Sequence, residues 1–163
     1  KRILYLVSFF NKAFLINMKK PEPKSVDEFL HFQKIPTRWM DNDVYQHVNN
    51  VIYYSFFDTV VNHYLIDKGL LNIKESTIIG LVVETKCNYF SPIEFPDVVN
   101  AGLTVTKIGN SSVNYDVALF NNNESKASAQ GHFIHVYVDR SSRKPVPLTE
   151  KMRKALEDIA FRR

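Results

Sequence analysis

The longest periodic pattern in the chain is an apolar run over residues 51–67 that polar side chains interrupt at helical intervals. The interrupting residues follow one another at steps dominated by three and four: Ser55, Asp58, Thr59, Asn62, His63 and Asp67. This spacing predicts a helix with a narrow polar stripe, so that most of its surface is covered by the rest of the protein. Its Val, Ile, Tyr and Phe residues are mediocre helix formers, and burial should therefore stabilise it. Gly69 is placed to cap its C-terminus.

Alternation with a period of two marks the other elements and predicts strands. Strand-like runs cover residues 83–89, 99–105, 113–119 and 125–138, and a less regular run covers residues 29–37. The connections between the later runs are short, which indicates antiparallel neighbours. Near the end of the chain Thr149 is a candidate cap for a last helix, whose apolar stripe is Met152, Leu156, Ile159 and Ala160.

A buried helix and an antiparallel sheet predict an α+β layer with the helix on one face. One helix leaves an edge and much apolar surface of the sheet open, and a symmetric dimer would cover both. With 163 residues the chain has the size of one domain. We assign residues 25–163 to that domain and residues 1–24 to an N-terminal extension and linker.

The first 17 residues begin with two basic side chains and a short apolar stretch, as a signal peptide does. No Ala-x-Ala-like cleavage site follows, and the stretch is too short to span a bilayer. We interpret it as an extension upstream of a natural start at Met18, and we predict no membrane span.

Charge and cysteine content narrow the classes of partner. Twenty-one basic and 17 acidic residues give a net charge of +4, which suits an anionic ligand and equally serves solubility. No basic cluster interleaved with aromatic residues predicts nucleic-acid binding, and no zinc-ligand spacing is present. A single Cys87 excludes an internal disulfide and fits the reducing cytoplasm. Its strand-like surroundings predict a buried or half-buried thiol rather than a nucleophile.

The densest group of reactive side chains lies in residues 38–50, Arg-Trp-Met-Asp-Asn-Asp-Val-Tyr-Gln-His-Val-Asn-Asn, directly before the predicted long helix. The N-terminus of a helix carries unpaired N–H groups and partial positive charge, which can polarise a carbonyl group. A carboxylate beside it can attack that carbonyl or activate a water molecule that does so.

This motif is similar to that of the hotdog-fold acyl-thioester hydrolases related to 4-hydroxybenzoyl-CoA thioesterase. The likeness runs from about Phe32 to Ile159 and includes the Pro92 turn and the corner at Gly109. It implies a hotdog fold, in which a curved antiparallel sheet surrounds one long central helix. It also implies a homodimer or homotetramer that hydrolyses acyl-CoA, with coenzyme A as part of the substrate and no cofactor.

The resemblance also implies roles for single residues. Asp43 occupies the position of the nucleophile or general base, and the backbone N–H of Asn50, seven residues later, that of the donor to the thioester carbonyl. The residue types alone equally allow Asp43 to be a turn aspartate and Asn49 or Asn50 to be helix N-caps. We interpret Asp41 as structural, orienting the loop or Arg38.

Five further side chains have both a chemical and a plain interpretation. His47 could position the substrate or act as a second base, and Asp58 could hold a water molecule, but both could be structural. Arg140, Arg143 and Lys144 are candidate contacts of the coenzyme A phosphates, and they could equally be solvated turn charges. His132 and His135 should lie on opposite faces of the last strand, and we interpret both as structural.

The sequence therefore predicts an acyl-CoA thioesterase, with two alternatives. A hotdog dehydratase acting on hydroxyacyl thioesters is the first, although the chain lacks a His-Phe-Pro-Gly segment typical of that class. A non-catalytic protein that binds acyl thioesters is the second.

Overall fold

The computed structural model describes residues 21–161, and the interpretation of residues 1–17 lies outside this range. Within it, two α-helices and five strands form the regular secondary structure. In chain order they are β1 (His31–Pro36), α1 (Asn50–Asp67), β2 (Ile78–Tyr89), β3 (Val98–Ile108), β4 (Ser112–Asn121), β5 (Ala129–Asp139) and α2 (Glu150–Glu157). Neither helix of the described range is long and apolar enough to cross a membrane.

The long helix α1 confirms the strongest sequence prediction. It begins one residue earlier than the periodic pattern, at Asn50, and ends at Asp67 as predicted. Gly69 adopts a left-handed φ of 62°, and its N–H donates to the carbonyl of Ile66 at 2.8 Å. The next N–H, of Leu70, reaches back to Leu65 at 2.8 Å. This pair of bonds satisfies carbonyl groups that the helix end leaves open, as expected of a glycine cap.

The sheet is antiparallel throughout, with the strand order β1-β3-β4-β5-β2. Strands β3, β4 and β5 follow one another as neighbours, whereas β2 crosses the sheet to pair with β5 and ends with Tyr89 opposite Ala129. Both β1 and β2 are therefore edge strands in the described chain. Strand β5 begins later than the predicted run because residues 125–127 pair instead with residues 24–26.

The hydrophobic core lies between α1 and the sheet. Seven side chains of the helix are buried there: Tyr53, Phe56, Phe57, Val60, Val61, Tyr64 and Leu65. They pack against inward-facing residues of β3 and β4, among them Leu103, Tyr115 and Val117. Full burial of a side chain of this size contributes about 2 kcal/mol. The packing thus stabilises a helix whose composition alone would not, and it confirms the α+β prediction.

The C-terminal helix α2 is shorter than its apolar stripe predicts. Thr149 caps it as expected, because its hydroxyl oxygen accepts the N–H of Met152 at 3.2 Å. The helix ends at Glu157, before Ile159. The carbonyl of Ile159 instead accepts the N–H of Val105 and the hydroxyl of Thr104, both at 2.9 Å. The chain leaves the helix because β3 offers these two donors.

Candidate active site

The loop between β1 and α1 folds into a small hairpin that ends where the helix begins. Asn42 and Val48 form an isolated antiparallel bridge, and the N–H of Asn49 donates to the carbonyl of Asp41 at 2.8 Å. The N–H of Val48 donates to the carbonyl of Ile93 at 2.8 Å and so fastens the hairpin to the loop after β2. These bonds bring both ends of the loop together beside the first turn of α1.

Asp43 lies in the turn of this hairpin. Its N–H donates to the carbonyl of His47 at 2.8 Å, and its own carbonyl accepts the N–H of Gln46 at 3.1 Å. Gln46 has a left-handed φ of 70°, which lets the chain reverse within so few residues. The N–H of Tyr45 donates to Oδ1 of Asp43 at 2.8 Å. Oδ2 of Asp43 has no hydrogen-bond partner within residues 21–161, and the side chain is half-buried.

Asp41 stabilises the loop by its hydrogen bonds with Arg38, as the sequence predicted. The residue is only 1% exposed, and its Oδ1 accepts hydrogen bonds from Nε and Nη2 of Arg38 at 3.0 and 2.7 Å. Oδ2 accepts the backbone N–H of Arg38 at 2.7 Å. The bond to Asp41 raises the pKa of Arg38 further above its ordinary value. Both carboxylate oxygens of Asp41 thus accept hydrogen bonds that stabilise the loop. Asp43 is therefore the carboxylate of the pair that is available to a substrate.

The start of α1 is capped by Asn49 and leaves one donor open. Oδ1 of Asn49 accepts the N–H of Val51 at 3.2 Å, and its carbonyl accepts the N–H of Ile52 at 2.9 Å. The capping interpretation is therefore confirmed for Asn49. The N–H of Asn50 has no acceptor in the part of the chain that the structure describes. An unpaired N–H at the positive end of a helix is the donor that a developing oxyanion requires.

Asp43 and Asn50 line the same open pocket. Its walls are Trp39, Asn42, Asp43, Val44, Tyr45, Gln46, Asn49 and Asn50. One residue with a carboxylate oxygen that lacks a partner and one with a helix N–H that lacks an acceptor, both judged within residues 21–161, thus line one pocket. Such a pair can polarise a carbonyl group and deliver or activate a nucleophile against it.

The structure does not bring His47 and Asp58 into this pocket. The imidazole of His47 is exposed, and the residue contributes its carbonyl to the Asp43 turn. Asp58 is exposed on α1, where its Oδ1 accepts a hydrogen bond from the side-chain amide of Asn62 at 3.0 Å. Both side chains are therefore placed as their plain interpretations expect, and a chemical role for either stays a prediction.

The three candidate phosphate contacts lie in the turn after β5 and do not line the pocket either. The guanidinium of Arg140 donates to the carbonyls of Ile73 and Lys74 at 2.5 and 2.8 Å, so it ties two loops together. Arg143 has a left-handed φ of 58° in the turn, and it and Lys144 are exposed. Phosphate binding by these residues stays a prediction.

Sequence reasoning missed three aromatic side chains around the pocket. Trp39 is 81% exposed and packs edge-to-face on Phe95, with ring centroids 5.8 Å apart. The loop that carries Phe95 is bound to the hairpin by its N–H, which donates to Oδ1 of Asn42 at 3.1 Å. The third is Tyr89 of β2, whose hydroxyl donates to the carbonyl of Asn50 at 3.1 Å. Of these three side chains, only Trp39 could have been found from the sequence, because it lies within the motif of residues 38–50.

The remaining candidates have the structural positions that the sequence predicted. Cys87 is half-buried, and burial raises the pKa of its thiol to about 11, so that the reactive thiolate is scarce at neutral pH. His132 pairs with Glu84 at 3.0 Å, whereas His135 is buried in the core at 3% exposure. Within residues 21–161 no group of three His, Cys, Asp or Glu side chains could hold a metal ion.

An antiparallel sheet around one long central helix is the hotdog fold. The chain belongs to the Thioesterase-like superfamily, whose sequence profile matches residues 37–156.

Two solved structures share this fold, and one further protein is similar in sequence. The crystal structure of the PA5185 protein from Pseudomonas aeruginosa strain PAO1 superposes with a TM-score of 0.83 at 50% identity, over 86% of this chain and 97% of that chain. A thioesterase from Thermus thermophilus, complexed with coenzyme A and Zn, has a TM-score of 0.70 at 24% identity, over 85% of this chain and 100% of that chain. YsmA of Bacillus subtilis strain 168 is 23% identical over 128 residues, which are 78% of this chain and 86% of YsmA.

Proposed function

We propose that this thioesterase hydrolyses acyl-CoA thioesters to a free acid and coenzyme A, with Asp43 as the nucleophile or general base. The observation that carries the proposal is the shared pocket of Asp43 and the Asn50 N–H. The superfamily membership supports the reaction, and the coenzyme A complex of the Thermus thermophilus thioesterase supports the choice of thiol. Coenzyme A enters as part of the substrate, and no step of the proposal calls for a resident cofactor.

The first step polarises the thioester. The carbonyl oxygen of the substrate accepts the N–H of Asn50, and the partial positive charge of the α1 N-terminus stabilises the negative charge that develops there. Asn49 accepts the neighbouring Val51 N–H, and within residues 21–161 the Asn50 N–H is left free to donate to the substrate. A preorganised donor of this kind contributes about 3 kcal/mol to transition-state stabilisation in other hydrolases.

Asp43 supplies the attack on the polarised carbon. As a general base, it takes a proton from water, and the hydroxide adds to the carbonyl carbon; as a nucleophile, its own oxygen adds and forms an anhydride that water then hydrolyses. In both routes the tetrahedral intermediate collapses, the carbon–sulfur bond breaks and the thiolate takes up a proton. The Tyr45 N–H holds Oδ1, which leaves Oδ2 as the reacting atom.

We also propose that the protein assembles as a homodimer, or as a homotetramer built from such dimers. Strand β2 is an edge strand within the described chain, and its Val82 and Val83 are 45% and 60% exposed. Two further large apolar side chains, Val44 of the hairpin and Val51 of α1, are also exposed. An open strand edge with exposed apolar side chains is stabilised by pairing with a second copy.

The single Cys87 supports a cytoplasmic location.

The test of the proposed activity is a hydrolysis panel. Short, long and aromatic acyl-CoAs are incubated with the protein, and a thiol-reactive dye reports free coenzyme A. We expect release of one thiol for each acid formed, with turnover of at least one of the substrates. Saturable binding of acyl-CoA without thiol release would instead identify a non-catalytic binder.

A further inference from the structure

The first two residues of α1, which include the proposed carbonyl donor, are exposed to solvent. Asn50 is exposed and Val51 is 62% exposed, whereas Ile52 packs partly buried against the core and Tyr53 is buried. Helix ends with few buried contacts open locally at low cost. A hydrogen bond to the exposed residue that bears the donor therefore adds to its preorganisation.

Tyr89 of β2 supplies such a bond. It is the last residue of β2, where its backbone is held opposite Ala129 of β5. Its ring packs edge-to-face on Tyr53, with centroids 5.0 Å apart and planes at 79°. Its hydroxyl donates to the carbonyl of Asn50 at 3.1 Å. The bond thus ties the residue that bears the open N–H to the rigid sheet.

The phenol is well suited to this duty. Although 45% of Tyr89 is exposed, the burial of the remainder raises the pKa of its hydroxyl, which therefore stays protonated and remains a donor at neutral pH. The packing on Tyr53 fixes the direction of the ring, and little conformational freedom is left for the hydroxyl to lose. Three other bonds of this region, from Asn49 to Asp41 and from Val51 and Ile52 to Asn49, act on residues that flank Asn50.

We infer that Tyr89 is a positioning residue for the thioesterase reaction, which acts by holding the carbonyl of Asn50 and thereby the backbone of the residue whose N–H meets the substrate carbonyl. The inference rests on the proposed function. Tyr89 touches neither the reacting atoms nor Asp43 in this account. Its removal should therefore lower the rate of the chemical step and leave substrate binding nearly intact.

The variant that tests the inference is Tyr89→Phe, which keeps the ring and deletes the hydroxyl. We expect kcat to fall about 5- to 50-fold, since a slightly misplaced donor is costly in the transition state, while KM changes less than about twofold. Tyr64→Phe is the matched control. The hydroxyl of Tyr64 also joins α1 to a backbone carbonyl, that of Ala155, but it does so away from the pocket. Its loss should lower stability and leave kcat unchanged.

Hydrogen exchange of the backbone provides a readout that does not depend on activity. In Tyr89→Phe the amides of residues 51–54 should exchange faster than in the wild type, and in Tyr64→Phe they should not. Unchanged exchange there, or an unchanged kcat in an active enzyme, overturns the inference, and so does an equal loss of kcat in both variants. If the wild type releases no thiol from any acyl-CoA, the proposed function is wrong. The catalytic role of Tyr89 is then wrong as well, even if hydrogen exchange shows that its hydroxyl stabilises the first turn of α1.

Discussion

The backbone N–H of Asn49 donates to the carbonyl of Asp41 at 2.8 Å and so joins the two ends of the loop that carries Asp43. Asp41 is itself fixed by Arg38, and Asn49 caps the first turn of α1. One hydrogen bond therefore connects the anchor of the loop to the cap of the helix. This connection brings Asp43 and Asn50 to the same pocket.

The first prediction concerns Asp41→Ala, which removes the acceptor of three hydrogen bonds from Arg38. We expect the free energy of unfolding to fall by about 2–3 kcal/mol, because the bonds to a buried charged group are lost. We also expect kcat to fall, because the hairpin loosens. Chemical denaturation and thiol release measure the two effects. Asp27→Ala, at an exposed position outside the pocket, is the control and should change neither.

The second prediction concerns the cap of α1. Asn49→Ala should destabilise the protein by about 1 kcal/mol, while Asn49→Asp should retain most of the stability, since an aspartate also caps well. The same substitution at the cap of α2, Thr149→Ala, should cost a similar amount. The difference should appear in turnover: Asn49→Ala should lose activity and Thr149→Ala should not. Equal activity in the two variants would show that the start of α1 tolerates disorder.

The third prediction concerns acid stability and His135. Burial among the rings of Tyr115, Phe133 and Tyr137 lowers the pKa of His135 to about 4, and neither ring nitrogen has a partner in the described structure. The unfolded chain binds a proton below pH 6.5, whereas the folded chain does so only near pH 4. Stability is therefore lost as the pH falls from 6.5 to 4, by up to about 3 kcal/mol from this residue.

The measurement is the free energy of unfolding at intervals between about pH 7 and pH 4 in the wild type and in His135→Leu. The variant should show a shallower loss with acid, because it lacks the proton-binding site. Parallel curves for wild type and His135→Leu would contradict the assignment.

The fourth prediction concerns assembly through β2. Val83→Asp places a charge on the exposed edge strand, and it should shift the protein from dimer towards monomer in analytical ultracentrifugation. Val98→Asp, on an apolar side chain of β3 that is 37% exposed, is a control that should leave the mass unchanged. A wild type that sediments as a monomer would reject the proposed assembly itself.

The features that the sequence predicted are those whose signals are local. The helix α1 follows from a 3.6-residue period, and the Arg38–Asp41 pair and the Asn49 cap join residues only two or three positions apart. The contact of Tyr89 with Asn50 spans 39 positions and depends on β2 crossing to pair with β5. No short-range pattern records such a pairing, because it is decided by packing of the whole sheet.

The residues of the candidate site also divide into those that a local sequence signal predicts and those whose position depends on distant parts of the chain. The motif predicted Asp43 and the helix start because both lie within one short segment, and the structure brings them to one pocket. It could not place Asp58 or Arg140, whose surroundings are set by Asn62 and by the loop at Ile73 and Lys74. A side chain's partners, and not its type, separate a pocket residue from a structural one.

The most direct test of the central claim is the turnover of Asp43→Asn, measured by thiol release from the best acyl-CoA substrate. The amide keeps the size of the side chain and can still accept the Tyr45 N–H, but it cannot act as a base or nucleophile. We predict a fall in kcat of at least about 100-fold with the fold retained, while Asp27→Asn keeps wild-type turnover. A folded Asp43→Asn enzyme that turns over within about threefold of the wild type would contradict the account, since this is far less than general-base or nucleophilic catalysis contributes.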